Sequence, residues 1–230
     1  MTTKKSIVSK KKVNIMTTKK STVSKKIIAS DFLAAGLQLH GHKCPAMPLG
    51  LRVGAAAMNA LGVERAQDGQ LLALVELGDG HCATCFGDGV QMITGCTFGK
   101  GNIKKLHYGK WGVTIVETKT GRAVRVTPRA EAMLANKKSA FFTEYRMKGI
   151  PASQVPPAVV DPLVAKVLSM PEEQLVTIGK EFHYQLPKKI ESFDGFVCDY
   201  CGEMVVEGYG RPLGEKKVCQ PCYDKAMAKE

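Results

Sequence analysis

Four cysteines near the C-terminus, spaced Cys198-x2-Cys201 and Cys219-x2-Cys222, constrain this chain more than any other feature. Each C-x2-C pair can set two thiolates on one turn. Seventeen residues separate the pairs, room enough for them to meet in the closed tetrahedral site that Zn2+ takes in structural positions. A segment this short is too small for a core of its own, so a bound metal must supply the folding energy. Gly202 suits the tight turn after the first pair, and Met204–Val206 reads as a strand. Lys217 and Val218 lead into the second pair, and Cys222–Lys229 reads as a short helix. The spacing predicts a zinc-clipped module over residues 191–230.

The other four cysteines, Cys44, Cys82, Cys85 and Cys96, lie in the first half of the 230-residue chain. Eight cysteines could form a disulfide framework, but that pattern belongs to short secreted domains. The lysine-rich N-terminus lacks the apolar stretch of a signal peptide. The best apolar run, Val53–Val63, is closed by Arg52 and Glu64 and falls short of the ~20 residues needed to span a bilayer. A cytoplasmic, reducing location with no membrane contact is the expectation, and there close-set cysteines mean metal or thiol chemistry.

The net charge of +12 suggests a nucleic-acid partner only if it is spread over the fold. It is not. Nine of the 33 basic residues fall in residues 1–26, which hold no acid, leaving 24 basic against 21 acidic side chains, a balance of +3. In that segment Met1–Lys12 returns as Met16–Lys26. Two readings stand: a duplicated start with a disordered tail, or a basic arm for nucleic acid or acidic surfaces.

From Ile27 to about residue 190 the pattern is that of an α+β core. Helices are expected from Ser30 or Asp31 through Leu39, from about Leu49 to Leu61 with Gly62 as the left-handed cap, and from Gly89 to Thr94 before Gly95. Gln70–Leu77 reads as a strand, and residues 103–127 as a strand and a hairpin about Thr120-Gly121. Residues 129–148 and 163–180 read as helical, the latter interrupted at Pro171. Residues 150–162, with four prolines, read as a linker, and 180–189 as a strand leaving the core.

His40-Gly-His42-Lys-Cys44-Pro45 sets two imidazoles and a thiolate within five residues, with a glycine that lets the backbone bend around an ion. Further on stand Cys82, Cys85, Asp88 and the run Thr94-Gly-Cys-Thr-Phe-Gly-Lys-Gly-Asn102. Familiar motifs fail on spacing. Lys100 stands where a P-loop needs glycine, Met92 where a dinucleotide fingerprint needs its third glycine, and Phe86 where haem attachment needs histidine.

These residues, HGHKCP with Gly50 and Arg52, then Cys85-x2-Asp88-x2-Gln91-x2-Thr94-Gly-Cys-Thr-x-Gly-Lys-Gly-Asn102 and Tyr108-Gly-Lys110, resemble the FmdE family, named after the FmdE subunit of formylmethanofuran dehydrogenase. The resemblance spans roughly residues 30–230, because many members also carry a C-terminal C4 finger. The last thirty residues by themselves look like the finger that ends DksA-like and TraR-like proteins. The family resemblance implies an α+β core with a cleft of Cys, His and Asp side chains, followed by a treble-clef zinc finger. Ala46 departs from the glycine common at that position, and Cys82 adds a second thiol where many members have one.

The expectation that follows is an accessory or stand-alone relative of that dehydrogenase component, associated with oxidoreduction. Zinc would sit on Cys198, Cys201, Cys219 and Cys222. A second metal would sit on His42, Cys44 and Cys85, with Cys82 or His40 as a fourth ligand. Cys44 and Cys85 would carry the chemistry, Asp88 would orient a ligand or move a proton, and Lys100 would attract an anionic substrate. The plain alternative is that Gly95–Asn102 is a buried, satisfied turn network. Subunits of a redox enzyme and a second copy of the chain are the expected partners. A thiol redox enzyme using Cys82 and Cys85, and a nucleic-acid-binding regulator, are the competing readings.

Overall fold

The computed structural model describes residues 25–80, 84–187 and 192–228. The N-terminal repeat lies outside these residues apart from Lys25 and Lys26. The chain divides between Gln185 and Leu186 into two compact units.

The larger unit is built around one helix. A 3-10 turn, Ala29–Phe32, leads into α1, Leu33–His40, which ends at Gly41 in the left-handed conformation (φ 86°). Helix α2, Ala46–Leu61, is apolar on nearly every face except at Arg52 and Asn59, and so it is buried throughout but for those two residues and Ala60, as such a helix must be. It begins three residues earlier than its apolar period suggests, because Pro48 fits within the first turn. Strand β1, Leu71–Val75, is followed by α3, Phe86–Thr94, which starts at Phe86 rather than Gly89. Its extra turn brings Cys85 to the helix N-terminus.

Strands β2 (Ile103–Lys105), β3 (Val113–Glu117) and β4 (Arg122–Pro128) are followed by α4 (Ala130–Lys137) and α5 (Pro157–Ser169). A short α6 (Glu172–Leu175) leads to β5 (Val176–Ile178) and β6 (Phe182–His183). The sheet runs β2-β1-β3-β4-β5, with β6 also on β4. Among the described residues, only the β1–β2 pair is parallel. Register is set by the β-branched hairpin, with Val113 opposite Val126 and Ile115 opposite Val124. Leu49, Val53 and Ala57 of α2 pack with Ala73, Val113, Ile115 and Val126 of the sheet in one core.

One sequence expectation is refined and two are corrected. Residues 129–148 are helical in pieces: α4 stops at Lys137, and a π turn at Phe141–Tyr145 and a 3-10 turn at Arg146–Lys148 follow, with Phe141 buried. The proline-rich linker yields to α5 at Pro157, since proline is well placed at the first helical position. Residues 176–178 are strand, not helix, because β-branched Val176 and Thr177 pair with β4.

Two contacts fix α2. Gly50 lies so close to α3 that a Cβ there would stand 2.0 Å from the Phe86 carbonyl oxygen, and one on Gly89 would stand 2.0 Å from that of Met47. Arg52 donates to the carbonyls of Val167, Leu168 and Met170 at 2.6 to 2.9 Å, satisfying the C-terminal end of α5.

The smaller unit holds β7 (Gly195–Val197) paired with β8 (Met204–Val206), β9 (Arg211–Leu213) paired with β10 (Lys216–Val218), and α7 (Gln220–Met227). Cys198, Val218 and Cys219 are its buried centre, a core of three small residues.

Candidate functional site

In the small unit one sulfur from each of Cys198, Cys201, Cys219 and Cys222 lies within 4.8 Å of all the others. Gly202 takes the left-handed conformation (φ 74°) and its N–H donates to the Cys198 carbonyl, closing the first knuckle. The Cys219 N–H donates to the Cys198 sulfur at 3.3 Å. Desolvation opposes ionisation at Cys198, but backbone N–H groups of Cys201, Cys219 and Tyr200 outweigh it and bring that thiol down to about 6. Such amide-to-sulfur bonds favour the thiolate that a metal needs. Four sulfurs with no open position make a closed structural set, compatible with a small zinc finger.

The second group is assembled from two distant stretches. His40 is the last residue of α1, Cys44 precedes α2, and Cys85 caps α3, so the Gly50–Gly89 approach of α2 and α3 brings the two thiols together. The sulfurs of Cys44 and Cys85 share a hydrogen bond of 3.5 Å, and His40 Nε2 lies 3.5 Å from Cys44 Sγ. Those three ligand atoms all stand within 4.8 Å of one another. Asp88 Oδ2 stands 2.7 Å from His40 Nδ1. A hydrogen on Nδ1, donated to that carboxylate, leaves Nε2 as the nitrogen presented to the sulfurs.

Electrostatics follow from this geometry. The hydrogen bond with Cys85, helped by His40 and the Met47 N–H, lowers the Cys44 thiol to about 4 against the opposing effect of burial. The same bond and burial push Cys85 up, so Cys44 is the thiol of the pair that ionises first. His40 is raised, first by Cys44 and also by Asp88, against desolvation.

His42, a candidate ligand in the sequence, stands beside the group of three and not within it. The left-handed turn at Gly41 folds its ring against that of His40, with centroids 4.1 Å apart, and its Nε2 meets His40 Nε2 at 3.1 Å. The compact triad is therefore His40, Cys44 and Cys85, with His42 beside it. Cys82 lies outside the described residues. Lys100 is not at this site, because its ammonium donates to the carbonyls of Ala66 and Gln67. The run Thr94–Asn102 is a structural clasp. Cys96 is fully buried, the Thr97 N–H donates to Asn102 Oδ1, and Asn102 Nδ2 donates to Asp68 and Leu71. A Cβ on Gly95 (φ 71°) would stand 2.2 Å from the Ala66 carbonyl.

His40, His42, Cys44, Cys85 and Asp88 line a cleft of about 1150 Å3. The sequence reading missed its other wall, which includes Trp111, Phe141, Phe142 and Arg125. Arg125 is held by Glu76, a carboxylate only 6% exposed, through Nε at 2.5 Å and Nη2 at 2.8 Å. Glu76 is accordingly held below its usual range, first by this bond. The available signal was Arg125 itself, a charge set between Val124 and Val126 in the middle of β4.

Comparison with known proteins agrees with the fold. The family model described as "FmdE, Molybdenum formylmethanofuran dehydrogenase operon" matches residues 39–177. A solved FmdE-like protein of the tungsten formylmethanofuran dehydrogenase type, from Syntrophus aciditrophicus, superposes with a TM-score of 0.58 at 19% identity. The superposition covers 86% of this chain and 93% of that one, a likeness of fold. A probable S-adenosyl-L-methionine-binding protein of Archaeoglobus fulgidus is 44% identical over 98 residues, 41% of this chain and 25% of that protein. The chain thus spans about a quarter of the length of this curated relative. The family match covers more than half of the chain and takes in the whole His40–Cys44–Cys85 group and strands β1 to β4, and on that ground the chain belongs to the FmdE family.

Proposed function

We propose that this protein is a metal-binding, accessory or stand-alone member of the FmdE family, associated with oxidoreduction in the cytoplasm. In this reading zinc holds the terminal module and the core carries a second, open metal centre on His40, Cys44 and Cys85. The carrying observation is that one nitrogen and two sulfurs from separate segments stand within 4.8 Å of one another, with Asp88 on the far nitrogen of the imidazole. The donors fit a borderline-soft ion such as Zn2+. Three protein ligands leave a position for water or substrate, and such an ion would polarise or activate what binds there. The chain's own part is to fix the imidazole through Asp88, to keep Cys44 ionised, and to enclose the bound molecule in the cleft. Redox-enzyme subunits and a second copy of the chain are the proposed partners.

A dithiol reading draws on the same geometry, now through Cys44 and Cys85 in place of Cys82 and Cys85, since 3.5 Å separates their sulfurs. The name of the Archaeoglobus relative adds S-adenosylmethionine as a ligand to try in the cleft. A nucleic-acid role gains little support from the terminal module, in which residues 186–230 hold seven basic and eight acidic side chains.

Metal content per chain tests the proposal. Two ions are expected, falling by one in Cys44→Ser. One ion in the parent protein, unchanged in Cys44→Ser, would refute the core centre. Two thiols that titrate freely without a chelator and oxidise reversibly would favour the dithiol reading.

A further inference from the structure

We infer that the cleft beside the His40–Cys44–Cys85 group binds a small amphipathic organic anion, its carboxylate attracted by Lys110 and Lys137 and its apolar body laid against the wall that holds Trp111. This rests on reading the cleft as the functional site, and it does not require a metal there.

The balance of charge carries the argument. Five cationic side chains line the cleft, Lys105, Lys110, Arg125, Lys137 and Arg146, against two anionic groups, the Asp88 carboxylate, engaged by His40, and the Cys44 thiolate, engaged by His40 and Cys85. Three of the cations are already engaged: Lys105 with Asp79 at 2.9 Å, Arg125 with Glu76, and Arg146 with the Ile150 carbonyl at 2.6 Å. Among the described residues, the ammonium groups of Lys110 and Lys137 have no ion pair or hydrogen bond. Lys110 stands near enough to Glu76 to help keep it ionised. Two unengaged cations in a cleft with apolar walls give a positive potential that solvent screens less than on an open surface.

Apolar lining points to the rest of the ligand. Trp111, Met133, Phe141 and Phe142 form the wall, while Phe98, 92% exposed, and Leu134, 58% exposed, stand at the lining with much of their surface open to solvent. Large exposed apolar side chains around a concave site are what an apolar ligand covers. A volume of about 1150 Å3 accommodates a small organic molecule. Two separate lysines, each a single point charge, call for a compact anionic head, and a carboxylate is the simplest such group.

The test uses the full chain and the fluorescence of Trp111, its one tryptophan. The probes are 3-phenylpropanoate and its neutral isostere 3-phenylpropanamide, neither of which absorbs where tryptophan is excited selectively. The carboxylate is expected to change the Trp111 emission saturably, with a Kd at least about tenfold lower than that of the amide. In the double variant Lys110→Gln, Lys137→Gln the carboxylate should lose that advantage while the amide binds as before. Equal affinity for the two probes, or no change in emission up to their solubility limits, would overturn the inference. So would binding that survives the double variant but disappears in Cys44→Ser, which would put the carboxylate on the metal. Metal content measured on the same samples judges the metal centre separately, because the lysine variants leave its ligands intact.

Discussion

The two cysteine groups of this protein solve opposite problems. In the terminal module the candidate ligands come in two C-x2-C pairs on one short stretch around three buried residues, so a metal held there would make the fold. In the core the ligands come from the end of α1, the start of α2 and the start of α3, held by a cleft-bearing domain with a large apolar centre. There the fold makes the site. A closed set of four sulfurs suits structure, and an open set of one nitrogen and two sulfurs suits chemistry. The chemical difference and the mechanical one thus go together.

The sharpest way to break this comparison is to remove a ligand from the module. Cys219→Ser should cost it most of a metal-binding energy of order 10 kcal/mol, unfolding Gly195–Met227 while α2 and its sheet stay intact. Amide NMR spectra and metal content would show one ion lost and only the module's dispersion collapsed; a collapse of the whole spectrum would contradict the division of labour.

The reciprocal experiment breaks the fold instead of the ligand. Gly89→Ala forces a Cβ onto the Met47 carbonyl, a backbone contact that cannot relax by a rotamer change. It should cost roughly 3 kcal/mol or more. Thermal melting should show the core destabilised and the Cys44–Cys85 pair separated, with the module's metal retained.

Acid sharpens the core side further. Glu76 is held below its usual range by Arg125, so the folded state takes up a proton less readily than the unfolded chain. The contribution of the pair is complete above the unfolded value of about 4.3 and is lost as pH falls through the lower folded value. Because Arg125 is 44% exposed, solvent screens the pair, and Glu76→Gln should cost about 2 kcal/mol at neutral pH. Urea melts of the two proteins should converge as pH falls below 4; a constant difference would mean that the loss is one of packing.

An effect of comparable size, read as metal affinity instead of stability, is expected at Asp88. Asp88→Asn keeps a hydrogen-bonding group beside His40 Nδ1 but removes its charge, and metal affinity at the core should fall about 10- to 100-fold. Competition with a chromophoric chelator measures this, and an unchanged affinity would remove Asp88 from the site.

Legibility in the sequence follows the range of the interactions. The module could be read from spacing because its ligands lie within one short stretch. The helix stops at Gly62 and Gly95 could be read because left-handed caps are local. That His40 and not His42 stands within the compact triad turns on a local detail, the left-handed turn at Gly41 that folds one imidazole onto the other. Lys100 misled because a polar motif rich in glycine looks alike whether it cradles a ligand or clasps a loop. Here two backbone carbonyls take its ammonium.

The sequence by itself determined an α+β core followed by a four-cysteine module, since periodicity, caps and C-x2-C spacing act over a few residues. Only the tertiary structure decided that His40 joins Cys44 and Cys85, that Glu76 holds Arg125 across the sheet, and that Lys110 and Lys137 face the same cleft as the thiols. Those neighbours are up to dozens of residues apart, and what brings them together is close packing, above all the approach of α2 and α3 at Gly50 and Gly89, where no side chain would fit.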